Sequence, residues 1–494
     1  MTRIQTGVQG EMLPSVCEGQ GHLDTRFRRA LADPGRRRIV RALGGLCACA
    51  AAPALALSPA ASRKPPAKGW LPVSVFVRAA GENEGEAAAA LRQIAENWHE
   101  AYSGMLLEAL SFSPYLNVHG AIMALLQVAS GIRGESLDAL YRWQWSRDLL
   151  EHPQYAAFKA ALYERVDPRF REYFDNNPKR IIRLDEVRWG GVPRDGIPPL
   201  KNPKMLAARD AGYLDGDNVV FGVAIDGDVR AYPKRILAWH EMVKDRIGGR
   251  ELNGVYCTLC GSMVVYVAQA GGVHHELGTS GFLYRSNKLM YDHATKSMWS
   301  TLEGKPVIGP LVGKGIELER LYVVTTTWKE WRRRHPETLV LSLDTGHQRN
   351  YGEGVAYNDY FSTDRLMFGV PKLDGRLANK AEVLALRETG ARGDPLAISA
   401  AYLAAHPVYH DRVGATAFVV LTDSSGANRA YESRGLRFAA WNGEQLATDS
   451  EGRSWKVGED ALSGPGRQRL GRLPAHRAFW FGWYSAYPET RLVK

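Results

Sequence analysis

The chain has 494 residues, of which 45% are hydrophobic and 23% are charged. These proportions are typical of a soluble globular protein with about three domains, and they exclude a disordered chain, a coiled-coil rod and a collagen-like repeat. The formal net charge is +10, but residues 1–61 hold eight Lys or Arg against four Asp or Glu and so account for part of it. The rest of the chain has no basic run, so we expect no nucleic-acid partner.

The amino-terminal residues have the layout of an export signal. Residues 1–35 show no apolar periodicity and are interpreted as an unstructured extension or a mis-assigned start. Residues 36–61 are predicted to be the signal segment, because Arg36-Arg37-Arg38 precede two apolar residues and an alanine-rich run, a pattern typical of a twin-arginine signal. We therefore expect a protein that is exported to the periplasm or outside the cell.

The apolar run of this signal is too short to span a bilayer, and no later stretch is long and apolar enough either. The mature chain is therefore predicted to have no transmembrane segment. An alternative is a lipid anchor at Cys49, since Leu46-Cys47-Ala48-Cys49 resembles a lipoprotein cleavage site.

The rest of the chain divides by its pattern into a helical part and a β-rich part. Residues 62–76 are interpreted as a linker, and residues 77–174 as an α-helical domain in which Ala90, Leu91 and Ile94 recur at helical spacing. After residue 175 short apolar runs end in glycine turns, as where Val219–Ile225 meets Asp226-Gly227. The predicted fold class is α+β, with a small α-helical layer at the amino terminus followed by a β-rich body.

The β-rich body contains an internal duplication. Leu237–Gly248 aligns without a gap onto Leu403–Gly414, and six of the twelve positions are identical. Two further windows match in the same order, among them Trp328 to Thr338 with Trp480 to Thr490. We therefore predict two β-rich units, residues 175–380 and residues 381–494.

The candidate site lies in the first of these units. Cys257 and Cys260 stand in a Cys-x-x-Cys-Gly sequence between two strand-like segments, which predicts a turn with both sulfurs on one side. Two thiolates on one turn supply half of a tetrahedral metal site. No thiol remains at the corresponding place in the second unit, which is therefore interpreted as a degenerate copy.

His240, beside Glu241, is the predicted third metal ligand, because imidazole commonly completes a thiolate site. Met263, His274, His275 and His293 are alternatives for a fourth ligand. Cys257, Cys260 and His240 would suit a copper or zinc ion in a redox or metal-handling role. The sequence contains no nucleotide or haem motif, and an unidentified small molecule or a metal is the expected partner.

Two other interpretations stay open. Cys257 and Cys260 can instead form a disulfide, in a non-catalytic binding module whose ligand lies in a cleft between the two copies. Alternatively, a cysteine acts as a nucleophile with His240 as its base.

From about residue 185 to residue 343, and more loosely beyond, the chain resembles the family catalogued as domain of unknown function 3179. The residues that carry the resemblance are Asp195–Pro198, Arg230–Pro233, Trp239–Glu241, Tyr256–Gly261, Gly278–Gly281, Met290–Asp292, Trp299-Ser300, Thr327-Trp328 and His335-Pro336. The resemblance implies a shared site that includes the histidine and both cysteines, but it implies no particular activity. Thr258 and His293 occupy places where family members more often have Pro and Arg.

Overall fold

The structure is a computed structural model, and it describes residues 64–134, 137–388 and 394–494. The predicted amino-terminal extension, the signal segment and the possible anchor at Cys49 lie outside these ranges. Within them, no helix is both long and apolar enough to cross a membrane. The domain boundaries stay a prediction, whereas the predicted α+β class is confirmed by the elements described below.

The helices lie mostly near the amino terminus of the described chain. They are α1 (Val73–Ala79), α2 (Glu84–Glu96), α3 (Ser103–Ala109), α4 (Leu116–Ser130), α5 (Leu137–Trp145), α6 (Tyr155–Tyr163), α7 (Lys234–His240), α8 (Trp328–Arg334), α9 (Asn358–Phe361), α10 (Ala400–Ala405) and α11 (Trp480–Ala486). Short 3-10 helices cover Glu100–Tyr102, Pro168–Tyr173, Leu184–Glu186, Ala208–Asp210 and Pro465–Arg467. Asn83 caps α2 by accepting a hydrogen bond from the backbone N–H of Glu86.

The strands up to residue 341 form what we call the first lobe (residues 187–341). They are β1 (Val187–Trp189), β2 (Leu200–Lys201), β3 (Met205–Ala207), β4 (Val219–Ile225), β5 (Asp228–Pro233), β6 (Met242–Ile247), β7 (Arg250–Cys257), β8 (Ser262–Val267), β9 (Gln269–Ala270), β10 (Val273–His274), β11 (Leu277–Tyr284), β12 (Asn287–Asp292), β13 (Met298–Ser300), β14 (Lys305–Ile308), β15 (Arg320–Leu321), β16 (Val324–Thr327) and β17 (Leu339–Leu341). The core of the helical layer continues into the sheet β1-β11-β12-β13-β14, where Phe282, Leu289 and Met298 are buried in the same apolar cluster as the helices.

The later strands form the second lobe (residues 382–493). They are β18 (Glu382–Leu386), β19 (Leu396–Ser399), β20 (Val408–Val413), β21 (Thr416–Thr422), β22 (Asn428–Glu432), β23 (Phe438–Trp441), β24 (Leu446–Asp449), β25 (Ser454–Val457), β26 (Ala461–Ser463), β27 (Arg469–Gly471), β28 (His476–Phe479) and β29 (Arg491–Val493). Residues 342–381, which include α9, join the two lobes and are called the connecting segment.

Corresponding sheets of the two lobes have the same strand order and the same strand directions. The order β16-β4-β5-β17 in the first lobe matches β28-β18-β19-β29 in the second. In both sheets the first two contacts are antiparallel and the last is parallel. The antiparallel meander β6-β7-β8 corresponds likewise to β20-β21-β22. The body is thus built from two copies of one strand pattern.

In each of these sheets a tryptophan fixes the helix that comes directly after the edge strand, which is α8 after β16 and α11 after β28. The indole N–H of Trp331 in α8 donates to the Thr338 hydroxyl at 3.0 Å, and that of Trp483 in α11 donates to Thr490 at 2.9 Å. Both tryptophans are fully buried. A further apolar cluster joins the lobes, because Met242 and Trp299 of the first lobe pack with Trp480 of the second.

Candidate functional site

The two cysteines lie on the turn that joins β7 to β8. Cys257 is the last residue of β7 and pairs with Ser262, the first residue of β8. The backbone N–H of Cys260 donates to the Cys257 carbonyl at 3.2 Å, and Gly261 has a φ of 58°. The predicted strand–turn–strand geometry with a left-handed glycine is therefore confirmed.

Both cysteines are buried, and both are free thiols rather than a disulfide. Cys257 is 2% exposed and Cys260 is fully buried, in an apolar cluster with Leu259, Phe479 and Phe481. The Sγ atom of Cys260 lies 2.8 Å from Asn287 Oδ1. The turn therefore places its sulfurs in a closed, largely apolar environment with a few defined polar contacts.

The environment affects the two thiols in opposite directions. Burial by itself raises the pKa of Cys257, but hydrogen bonds from the Cys260 thiol and from the backbone N–H of Lys288 outweigh it and leave that pKa below its usual value. Burial and the neighbouring Cys257 sulfur raise the pKa of Cys260 well above its usual value. The hydrogen bonds to Cys257 thus favour a thiolate at that sulfur.

A buried ion pair lies beside this turn. Glu241 Oε2 is 2.7 Å from Lys288 Nζ, and the two side chains are only 10% and 4% exposed. The Thr258 hydroxyl, from the middle of the turn, donates to Glu241 Oε1 at 2.9 Å, and Lys288 Nζ also donates to the Thr279 hydroxyl at 3.0 Å. These contacts connect the charged pair directly to the cysteine turn.

The backbone explains how Glu241 reaches this position. Glu241 ends α7 in a left-handed conformation with a φ of 54°, and its N–H donates to the Leu237 carbonyl. Its own carbonyl accepts from the N–H of Tyr256, which immediately precedes Cys257. The chain thus reverses direction directly after His240, and this reversal brings Glu241 next to the cysteine turn.

The structure does not bring His240 to the two sulfurs. Its Nδ1 lies 2.9 Å from the Pro198 carbonyl, and its Nε2 lies 2.5 Å from the Tyr351 hydroxyl. Burial lowers the pKa of His240 to about 4, so the ring is neutral at pH 7. Both ring nitrogens thus have partners other than a metal.

The residues considered as a fourth ligand also lie in other surroundings. His275 Nδ1 is 2.8 Å from Asp292, His274 pairs with Glu251 at 3.0 Å, His293 stacks on Tyr291, and Met263 is buried in the apolar core. Over residues 64–134, 137–388 and 394–494, no group of three or more His, Cys, Asp or Glu is arranged to hold a metal ion. Of the three predicted ligands, the structure therefore brings together only Cys257 and Cys260.

The second lobe and the connecting segment cover the cysteine turn. The N–H of Phe479 donates to the Cys260 carbonyl at 2.7 Å. A Cβ atom on Gly482 of α11 would lie 3.0 Å from the Cβ of Cys260, a tighter contact than most, so a glycine eases the close approach of the helix. From the connecting segment, the Tyr360 hydroxyl donates to the Leu259 carbonyl at 2.7 Å.

Sequence reasoning did not identify Lys288, Asn287 or Tyr360 as parts of this site. A signal for Lys288 exists, because a lysine stands directly before Leu289 and Met290 in a strand that is buried along its whole length. A charged residue in such a strand needs a buried partner. The pattern does not reveal which acidic residue provides it.

The corresponding turn of the second lobe has a different chemistry. There Asp423 accepts hydrogen bonds from the N–H groups of Ser425 and Ala427, at 3.0 and 3.1 Å, and its other oxygen is 2.8 Å from the Arg429 guanidinium. An ion pair thus occupies the place that the thiols have in the first lobe. The second copy keeps the strands and lacks the sulfur chemistry.

These features define a protein with two β-rich lobes that bears a buried dithiol in the first lobe. The family described as protein of unknown function (DUF3179) matches residues 194–490, more than half of the chain, so the chain belongs to this family. The match includes the cysteine turn and almost all of the second lobe, and it agrees with the predicted resemblance. Comparison with curated proteins and with solved structures finds no match.

Proposed function

We propose that Cys257 and Cys260 form a redox-active dithiol that exchanges with the disulfide of a protein or small molecule. The observation that carries this proposal is that two free thiols lie together on one buried turn, where hydrogen bonds favour the thiolate form of Cys257. A thiolate is the attacking species in thiol–disulfide exchange, and a second thiol nearby completes the reaction.

The proposed exchange has two steps. The Cys257 thiolate attacks one sulfur of the substrate disulfide, so that a mixed disulfide forms and the other substrate sulfur leaves as a thiolate. Cys260 then loses its proton and attacks the Cys257 sulfur, which gives the Cys257–Cys260 disulfide and releases the second substrate thiolate. One released thiolate takes the Cys260 proton and the other takes a proton from solvent, and two electrons pass from the cysteines to the substrate.

The surroundings of the turn support these roles. Asn287 Oδ1 lies 2.8 Å from Cys260 Sγ, and this contact helps to fix the position of the second sulfur. The Glu241–Lys288 pair fixes Thr258 between the two cysteines. Because both sulfurs are buried, the connecting segment must move away from the turn before a substrate disulfide reaches Cys257.

We also propose that the protein works outside the cytoplasm, as its amino-terminal signal predicts. Cys257 and Cys260 are the only two cysteines of the sequence beyond residue 61. An oxidising compartment supplies the substrate disulfides that this exchange needs. Cell fractionation of the producing organism tests this expectation. Recovery of the protein in the cytoplasmic fraction alone would contradict it.

A copper or zinc ion stays a prediction. Cys257 and Cys260 would supply two of its ligands, whereas His240 would have to give up its hydrogen bonds to Pro198 and Tyr351. Elemental analysis of the purified protein, before and after Cys257→Ser, tests this alternative. About one metal ion per chain that the substitution removes would favour metal handling over disulfide exchange.

Equilibration in glutathione redox buffers tests the proposed exchange. In protein with Cys17, Cys47 and Cys49 replaced by serine, we expect a single reversible transition in which two thiols per chain disappear as the buffer becomes oxidising. Peptide mass spectrometry should map the new disulfide to Cys257 and Cys260. The variants Cys257→Ser and Cys260→Ser should lack this transition. Thiols that remain reduced at every buffer ratio, in the folded protein, would overturn the proposal.

A further inference from the structure

The two lobes enclose a second group of buried polar side chains, which the chemistry proposed for the cysteines does not use. We call it the cationic cluster, and it consists of Arg320, Arg387, His476 and Tyr487. Arg320 belongs to β15 of the first lobe, whereas Arg387 follows β18, His476 begins β28 and Tyr487 follows α11 in the second lobe. None of the four is more than 8% exposed.

Several contacts bring these four residues together. Arg320 Nη2 donates to the backbone carbonyl of Arg387 at 3.1 Å. His476 pairs across the sheet with Ala385, which lies two residues before Arg387 and thus on the same face of the strand. The His476 ring lies 5.8 Å from that of Trp483, which in turn lies 4.4 Å from the Tyr487 ring.

Much of the hydrogen-bonding capacity of the cationic cluster is unused. Within the described residues, no partner exists for Arg320 Nε and Nη1, Arg387 Nε, both ring nitrogens of His476, or the Tyr487 hydroxyl. Buried polar groups nearly always have a partner, and an unpartnered one destabilises the fold. Groups of this kind in an interior are satisfied by bound water or by a bound ion.

The charges show what kind of species is missing. Arg387 Nη2 lies 3.0 Å from Glu317, but Glu317 also pairs with Lys305 at 3.1 Å, so one carboxylate serves two cations. No ion pair joins Arg320 to any carboxylate of the described residues, and its pKa, lowered by burial to about 10, leaves it charged at pH 7. A water molecule would fill hydrogen bonds but would not offset this charge.

We propose that the cationic cluster binds one small inorganic anion of the size of chloride between the two lobes. Arg320 and Arg387 supply the charge, and a ring N–H of His476 and the Tyr487 hydroxyl complete the donors. All four side chains are nearly closed to solvent, so the anion that we propose is a small one. The bound anion stabilises the contact between the lobes.

Thermal unfolding in chloride tests the proposal independently of any redox activity. The protein is dialysed into sodium gluconate, whose anion is too large for the site, and chloride then replaces gluconate at constant ionic strength. We expect the Tm to rise by about 2 °C or more as chloride reaches a large excess over its Kd. Sulfate at equal ionic strength should raise it less.

Arg320→Met removes the charge and the N–H donors while it keeps much of the apolar stem. This variant should lose the chloride-dependent rise, whereas the matched control Arg209→Met, at a site 82% exposed, should keep it. An Arg320→Met protein that keeps the full rise would overturn the proposal, since chloride would then act elsewhere.

Halide counting covers the cases in which Arg320→Met fails to fold or the ion does not exchange during dialysis. Wild-type protein purified in bromide is desalted, unfolded and analysed by ion chromatography. About one bromide per chain supports the site even if the Tm stays constant. A constant Tm together with no recovered halide would overturn it.

Discussion

Glu241 is held in the interior by a single positive charge, that of Lys288. The distance between the two charged atoms is 2.7 Å, and the side chains are 10% and 4% exposed. Each ion needs the other, because a charge left alone in such an environment is strongly disfavoured. The stability of the protein should therefore depend strongly on any substitution that removes only one of these two charges.

Glu241→Gln tests this dependence. The amide keeps the shape of the side chain but leaves the Lys288 ammonium without its counter-charge, so we expect the free energy of unfolding in urea to fall by about 3 kcal/mol. The double variant Glu241→Gln/Lys288→Met should be more stable than Glu241→Gln alone, because no charge remains buried. A loss below about 1 kcal/mol in the single variant would contradict this account of the pair.

His240 predicts a particular dependence of stability on pH. Its pKa in the folded protein is about 4, below the value of about 6.5 for an unfolded chain. The unfolded chain therefore binds a proton first as the pH falls. The stability that the neutral ring contributes is complete above about pH 6.5 and is lost between there and about pH 4.

Urea unfolding of the wild type and of His240→Gln at pH 7, 6 and 5 measures this effect. The stability difference between the two proteins should shrink by about 2 kcal/mol over that range, or roughly 1.4 kcal/mol per pH unit below the unfolded pKa. His406→Gln, at the exposed counterpart in the second lobe, is the matched control. A difference that stays constant with pH would show that the folded ring titrates like a free one.

Local pattern identified some residues of the site and missed others for a physical reason. The cysteine turn was predictable because its two cysteines and its glycine lie within five residues of one another in the sequence. The surroundings of His240 were not, because its hydrogen-bond partners Pro198 and Tyr351 are 42 and 111 residues away in the chain. Lys288 is similarly 47 residues from Glu241.

The tryptophan–threonine hydrogen bond recurs at the same place in both lobes. Thr338 and Thr490 each follow their helix, and each hydroxyl accepts the indole N–H of the tryptophan inside it. The two bonds have nearly equal lengths of 3.0 and 2.9 Å. This contact fixes how each helix lies on its sheet.

Thr338→Val and Thr490→Val should therefore have similar effects. Each leaves a buried indole N–H unpaired, and we expect each to lower the free energy of unfolding by about 1 to 2 kcal/mol. In the first lobe, Trp331→Phe removes the hydrogen-bond donor. Thr338→Val should therefore lower the free energy of unfolding less in that variant than in the wild type. Equal costs in the two backgrounds would mean that the hydrogen bond contributes nothing.

The connecting segment covers part of the cysteine turn. The Tyr360 hydroxyl bonds to the Leu259 carbonyl within that turn, and Tyr360→Phe removes the bond. We expect the rate of Cys257 alkylation by N-ethylmaleimide in the native protein to rise roughly three- to tenfold, since local opening becomes easier. Tyr431→Phe removes an equivalent hydroxyl bond in the second lobe and should leave the rate unchanged. Equal rates in wild type and Tyr360→Phe would argue against this segment as the barrier.

Secondary structure with a strong local signal was predicted well. The strand Val219–Ile225 has the predicted limits, and Asp226 and Gly227 both have the positive φ that a tight hairpin turn requires. The connecting segment lacks a periodic pattern, so its position over the cysteine turn could not be foreseen. Its contacts depend on tertiary packing of aromatic side chains rather than on local propensity.

The duplication in the sequence predicted that the body has two similar units. It did not predict how the residues of the second unit contribute to the site in the first. Matching strand orders show that both copies keep the same framework. The second copy has replaced the thiols by the Asp423–Arg429 ion pair, and it contributes Phe479 and Gly482 to the cover of the first copy's turn. Residues of both lobes thus surround the site, although only the first lobe has the two thiols.

The second copy helps to set the environment of the first copy's thiols. Its sheet and its helix α11 exclude water from Cys260, which keeps the pKa of that thiol high. The sulfur of Cys257 keeps its hydrogen bond from the Lys288 backbone within the first lobe. The asymmetry of the two thiols is therefore a property of the assembled molecule.

Reaction with a small aromatic disulfide, 5,5′-dithiobis(2-nitrobenzoic acid), tests the proposed dithiol most directly, in protein with Cys17, Cys47 and Cys49 replaced by serine. The account predicts that the parent protein releases two coloured thiolates per chain and retains no adduct. Cys260→Ser should release one and retain the mixed disulfide at Cys257, whereas Cys257→Ser should react far more slowly. Two retained adducts per chain, or first attack by Cys260, would contradict the account.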